Sequence, residues 1–98
     1  MNNKEFDLKL REKVFEVFPW GKIITTYDYK CEVIEVSFIF YCMDETRSRY
    51  WSFSKHLIDS AGNEIIENIA NEIRRLVKSA KGEKQGDLAY FADQLASD

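Results

Sequence analysis

Residues 31–43 read CEVIEVSFIFYCM, and this stretch decides the fold. Successive side chains of a β-strand point to opposite faces, so alternate positions are read together. One set of alternate positions is entirely apolar and comprises Ile34, Val36, Phe38, Phe40 and Cys42. The other set is mixed but still largely apolar, with Val33, Ile39, Tyr41 and Met43. The pattern predicts a central strand with apolar groups on both faces.

Two further strands flank this segment. Residues 22–29 and 46–54 are rich in β-branched and aromatic side chains, which favour extended backbone. The polar residues 44–47 predict a hairpin turn centred on Glu45 and Thr46. That turn places Phe40 opposite Trp51, in an aromatic cross-strand pair. The first chain reversal is expected near residues 28–30, and the register of the first strand stays open.

The N-terminal segment predicts an amphipathic helix. Apolar residues recur at three- and four-residue spacing from Lys4 to Phe18, and Leu8 and Phe15 widen the apolar stripe. Pro19 disfavours helical geometry in the residue before it, so we expect the helix to end near Val17.

A longer helix is predicted after the third strand. Ser60 is the expected N-cap, and a regular apolar stripe runs from Ile65 to Ala80. The helix is expected to end near Lys81. A short last helix over residues 87–96 completes the chain and is expected to be peripheral or dimer-forming.

These elements predict a two-layer α+β domain spanning residues 1–98. The expected order is helix, three-stranded antiparallel sheet, long helix and short C-terminal helix, with the long helix on the Phe38 and Trp51 face. A content of 45% hydrophobic and 14% aromatic residues is sufficient for one buried core.

Charge and composition bear on location. A formal charge of −3 and a pI near 5.2 disfavour general coating of nucleic acid. The charged N-terminus lacks the apolar stretch of a signal peptide, and no segment reaches the roughly 20 apolar residues of a membrane span. Cys31 and Cys42 belong to no metal-binding motif and are expected to be buried free thiols. We therefore expect a cytoplasmic protein.

The residues offer no constellation for catalysis. His56 is the only histidine, so a multi-histidine metal site is excluded. The four glycines are scattered and form no phosphate-binding loop. We expect no enzymatic activity, no cofactor and no metal.

A protein partner is the expected ligand, and the second face of the sheet is the expected contact surface. Tyrosine, methionine and arginine among small serines are typical of protein interfaces. The predicted partner-binding residues are Ile39, Tyr41, Met43, Arg47, Arg49, Tyr50 and Lys55. Arg47 and Arg49 are expected at the edge of this surface.

Three alternatives remain open from the sequence. Residues 46–58 contain no acid and interleave basic with aromatic side chains, which suits single-stranded nucleic acid. It is equally possible from the sequence that the first or the last helix packs on the second sheet face and buries it. Homodimer formation through this face or the last helix is the third. The leading hypothesis is an inhibitor or immunity-type protein of phage or mobile-element origin that occupies a partner's surface.

Overall fold

The computed structural model of the protein describes residues 1–42 and 45–83. Its elements follow in the order α1 (Asn3–Val17), β1 (Lys22–Asp28), β2 (Val33–Cys42), β3 (Glu45–Ser54) and α2 (Lys55–Glu83). The α+β class, the two helices and the three-stranded antiparallel sheet are confirmed. The predicted helix over residues 87–96 lies outside the described residues.

The sheet has the order β1-β2-β3, with β2 in the centre. Its first connection reverses the chain close to the predicted place, between Asp28 and Val33. The Asp28 carboxylate accepts hydrogen bonds from the amides of Lys30 at 2.9 Å and Cys31 at 3.2 Å. Glu32 completes the connection in the left-handed region, with φ at 52°. The Asp28 side chain therefore stabilises this turn, because its carboxylate accepts hydrogen bonds that a backbone carbonyl would otherwise accept.

The predicted register of β2 with β3 is wrong, although the predicted faces are right. Cys42 pairs with Glu45, so Phe40 lies opposite Arg47 and Trp51 lies opposite Val36. β2 thus ends at Cys42 and β3 already begins at Glu45, a residue that the prediction placed at the centre of the turn. Because the displacement is an even number of residues, every side chain keeps its predicted face.

Both helices pack against the same face of the sheet. Burial along β2 alternates strictly, and its helix-side residues from Ile34 to Cys42 are all buried. Phe6, Leu10 and Val14 of α1 and the Ile65–Ala80 stripe of α2 complete this core. The core therefore lies entirely between the sheet and the helix layer.

Two apolar residues of α1 do not belong to its buried stripe. Leu8 is 54% exposed and Phe15 is 70% exposed, contrary to the expectation that they widen the stripe. Residues seven apart share one side of a helix, and this pair lies opposite the line of Phe6, Leu10 and Val14.

The beginning of α2 differs from the prediction. The helix starts at Lys55, where the Ser54 hydroxyl accepts a hydrogen bond from the Leu57 amide at 3.1 Å. Ser60 is not the cap, because its hydroxyl donates to the His56 carbonyl at 3.2 Å. The predicted start instead coincides with a kink at Ala61, whose φ of −139° and ψ of 28° are not helical. The polar residues before the apolar stripe therefore mark a kink within one helix.

The two cysteines differ in environment. Cys42 is buried at the end of β2, as predicted, whereas Cys31 is exposed. The expectation fails for Cys31 because β2 begins only at Val33, which leaves Cys31 in the connection from β1.

Candidate functional site

The face of the sheet opposite the helices is named the open face here. It is formed by one set of alternating side chains from each strand. These are Lys22, Ile24, Thr26 and Asp28 of β1, Val33, Glu35, Ser37, Ile39 and Tyr41 of β2, and Thr46, Ser48, Tyr50, Ser52 and Ser54 of β3.

Large side chains of the open face are accessible to solvent, two of them at its centre and Tyr41 at the hairpin end of β2. Tyr41 is 62% exposed, Tyr50 57% and Ile24 38%. Ser37 lies directly opposite both Ile24 and Tyr50, so a small residue separates the two bulky ones. The centre of the open face therefore combines the Tyr50 ring and the Ile24 side chain with a small polar residue between them, which suits contact with another surface.

The ends of the open face differ in charge. Asp28 and Glu35 lie toward one end, and Lys22, opposite Ile39, lies toward the other. Partial desolvation raises the pKa of the Tyr50 phenol, and the hydrogen bond and negative charge of Glu35 raise it further. The Tyr50 hydroxyl therefore lies on the open face next to the Glu35 carboxylate.

The structure brings together only part of the predicted site. Ile39, Tyr41 and Tyr50 share the open face, as expected. Met43 lies outside the described residues. Lys55 is the first residue of α2, and its amide extends the sheet ladder by donating to the Glu32 carbonyl at 2.8 Å.

Arg47 and Arg49 do not border the open face. They lie opposite Phe40 and Phe38, so their side chains point to the helix side of β3. The signal that locates them was present in the sequence: both arginines alternate in phase with Trp51, which was already assigned to the core face. Their expected place at the edge of the contact surface is therefore corrected.

On the helix side, Arg49 belongs to a cluster with Trp51 and Glu72. The Arg49 guanidinium lies 3.5 Å from the Glu72 carboxylate and 6.0 Å from the centre of the Trp51 ring. The Trp51 indole N–H also donates to Glu72. Arg47 pairs with Glu45 at 3.3 Å. Carboxylates of the same chain therefore compensate both guanidinium charges.

This arrangement weakens the nucleic-acid hypothesis. A binding surface for single strands needs cationic groups and stacking rings on one side of the sheet. Here the exposed ring of Tyr50 lies on the open face, whereas Arg47 and Arg49 lie on the opposite face. Trp51 and Phe53 are half-buried beside the core.

The acidic residues of α2 are also partly engaged. Glu67 pairs with Lys13 of α1 at 3.2 Å, and Glu72 holds Arg49 and Trp51. Glu64 is exposed. If an acidic patch of this protein were to mimic a phosphate backbone, it would also need Asp87 and Asp93, which lie outside the described residues.

The described residues were also compared with the requirements of a metal site and of a membrane-spanning helix. His56 lies exposed in the first turn of α2. Across residues 1–42 and 45–83, no group of three or more histidine, cysteine or acidic side chains is placed to hold a metal ion. Neither described helix combines the length and apolar character needed to cross a bilayer.

Sequence reasoning missed one further exposed apolar group. Trp20 is 42% exposed and packs edge-to-face on Phe18, with ring centres 5.5 Å apart. Leu8 and Phe15 are exposed on α1. Helical angles alone would have indicated the exposure of Leu8 and Phe15, whereas nothing in the sequence orients Trp20.

Comparison of the chain with family models, with curated proteins and with solved structures gives no match.

Proposed function

We propose that the chain is a non-catalytic binding module that docks a protein partner on its open face. The observation that carries this proposal is the contrast within β2. Phe38 and Phe40 are buried on one side, whereas Tyr41 on the other side is 62% exposed. Exposed tyrosine rings, such as those of Tyr41 and Tyr50 on this face, give large contact area at low cost in side-chain entropy.

The charge of the open face defines the chemistry of the partner. Asp28 and Glu35 place two carboxylates beyond the Tyr50 end of the apolar centre. A complementary partner has an apolar centre and a basic group at one rim, since matched charges favour the correct orientation during docking. The Tyr50 hydroxyl and the serines of β3 supply hydrogen bonds between these regions.

An inhibitor or immunity-type role is a narrower form of the same proposal. It requires the module to cover a functional surface of its partner, which a flat sheet face suits. Mimicry of a phosphate backbone is not its basis, because Glu67 and Glu72 are paired with cations of the same chain. The phage or mobile-element origin stays a prediction from small size and acidity.

A site-specific photocrosslinker tests the docking surface. A photoreactive phenylalanine analogue is placed at position 41, in cells that make the protein, and the adduct is identified by mass spectrometry. Phe15 is the matched control, because it is 70% exposed and lies on α1, which packs on the other face of the sheet. The proposal expects one protein adduct from position 41 and not from position 15.

Titration with the purified partner completes the test. Tyr41→Ser combined with Tyr50→Ser is expected to weaken binding at least about 100-fold, as for the loss of two large aromatic contacts. Phe15→Ser is expected to leave the affinity unchanged. The proposal is wrong if the adduct forms only from position 15, or if the double variant binds as tightly as the parent.

A further inference from the structure

The two edges of the sheet are treated differently by the chain. Along β1, the Arg11 guanidinium donates to the outward carbonyl of Ile23 at 3.1 Å, and the Thr25 hydroxyl donates to the Asp7 carboxylate. Arg11 and Asp7 also pair with each other at 3.0 Å. Helix α1 therefore occupies part of the β1 edge and hinders the addition of another strand there.

The edge of β3 is exposed over most of its length. The Lys55 amide donates to the Glu32 carbonyl. In the observed register, every second residue of β3 counted back from Lys55 therefore forms its backbone hydrogen bonds with β2. In an antiparallel ladder the intervening residues direct both backbone groups away from the neighbouring strand. These outward residues are Thr46, Ser48, Tyr50, Ser52 and Ser54. Within residues 1–42 and 45–83, no hydrogen bond reaches the backbone groups of Ser48, Tyr50 or Ser52.

We propose that β3 pairs antiparallel with β3 of a second copy of this chain, with Tyr50 on the two-fold axis. The outward amides and carbonyls of Ser48, Tyr50 and Ser52 would then bond to the same groups of the other copy. The product is a dimer with one continuous six-stranded sheet, an addition of strands at an exposed edge.

Charge selects this register. Outward residues must face outward residues, so the axis moves only in steps of one residue along β3. An axis at Ser48 sets Arg47 against Arg49, and an axis at Arg49 sets that residue against itself. An axis at Trp51 sets Arg47 against Lys55. Each of these registers brings like charges together, which destabilises a strand pair.

The register centred on Tyr50 has no such conflict. It sets Arg49 against Trp51 and Arg47 against Phe53, so each guanidinium meets an aromatic ring. Glu45 comes opposite Lys55 of the second copy, which adds an opposite-charge pair at each end. The serines and Tyr50 stay on the open face. The dimer therefore brings the two Tyr50 side chains together on the open face, while Tyr41 at the hairpin end of β2 stays exposed on both copies.

Sedimentation equilibrium of the purified chain is the first test, and the expected mass is twice the 11.6 kDa of one chain. Ser48→Pro removes an outward amide, a position where an edge strand tolerates proline, and should weaken dimerisation about tenfold or more. Ser48→Thr keeps the amide and should still form the dimer. A monomer at all concentrations overturns the proposal, and so does a dimer unaffected by Ser48→Pro in a folded variant.

Disulfide trapping tests the register and does not depend on the proline variant. In a background with Cys31→Ser, Tyr50→Cys places two thiols across the axis at a Cα separation of about 5.5 Å, which a disulfide spans. Arg49→Cys is the control, because its two copies are offset along the strands and should not crosslink. Crosslinking of Tyr50→Cys but not of Arg49→Cys is the expected result, and the reverse overturns the proposed register.

Discussion

The two faces of β2 differ sharply although they belong to one strand. The helix side from Ile34 to Cys42 is buried, and its phenylalanines stack on each other and meet the ring of Phe18, in the loop after α1, edge-to-face. The open face alternates with it residue by residue and ends at the exposed Tyr41. The apolar content of a strand therefore does not reveal whether both of its faces are covered.

The contrast separates residues that stabilise the fold from residues available for contact. Side chains on the helix side exclude water and contribute to the free energy of unfolding. Tyrosines on the open face contribute little to that free energy, so their size and exposure need another explanation, and binding supplies one. Substitutions on the helix side should therefore lower the free energy of unfolding more than substitutions on the open face.

Phe38→Ala should destabilise the fold most. Phe38 is fully buried between the sheet and Phe18, so truncation removes apolar contact and leaves a cavity. The expected loss is about 3–5 kcal/mol in the free energy of unfolding, measured by urea denaturation. Val36→Ala, at a smaller buried side chain of the same face, should lose less. A loss below about 1 kcal/mol at Phe38 would mean that the helix side is not the core.

Ser54→Ala should have an intermediate effect, because Ser54 caps the helix that covers the core face. Loss of its hydrogen bond to the Leu57 amide should cost about 1 kcal/mol. Ser60→Ala is the matched control and should change the free energy of unfolding by less than about 0.5 kcal/mol, since its hydroxyl binds carbonyls within the helix. Equal losses in thermal denaturation would contradict the position of the helix start.

Tyr41→Ser should leave stability nearly unchanged. The side chain is 62% exposed, so the free energy of unfolding should shift by no more than about 0.5 kcal/mol. The same substitution should weaken partner binding, which makes stability and affinity separable. A destabilisation comparable to that of Phe38→Ala would show that Tyr41 is part of a second core.

The smallest expected effect concerns the thiol of Cys31. The negative charge of Asp28, followed by its hydrogen bond to the thiol, raises the pKa of Cys31. A raised pKa lowers the thiolate fraction at a given pH, so alkylation by iodoacetamide should be slow for an exposed thiol. Asp28→Asn should accelerate it, and the pH at which the rate is half-maximal should fall. An unchanged dependence of the alkylation rate on pH would show that Asp28 does not raise the pKa of Cys31.

Sequence periodicity predicted the faces of the strands better than their pairing. Alternation alone assigned Phe38, Phe40 and Trp51 to one side, because any register of correct parity preserves it. The predicted turn position was wrong because no glycine or proline in the sequence marks the end of β2 at Cys42 or the start of β3 at Glu45. Aromatic pairing was too weak a criterion to select the register.

The site was predicted in part for the same reason. Ile39, Tyr41 and Tyr50 follow from strand parity, and the structure brings them together. Arg47 and Arg49 were assigned to this surface because arginine is common in protein interfaces, although their positions along β3 place them on the other face. The structure pairs them with Glu45 and Glu72. Neither salt bridge is visible in sequence, since Arg49 and Glu72 meet only after α2 packs beneath β3.

Hydroxyl-radical footprinting of the free protein tests the contrast between the two faces of β2 most directly. Modification rates are measured by mass spectrometry for Tyr41 and Phe38, with Phe15 as the exposed reference. We expect Tyr41 to be modified at a rate close to that of Phe15, after correction for intrinsic reactivity, and Phe38 to be protected. Protection of Tyr41 equal to that of Phe38 would contradict it, because the open face would then be covered.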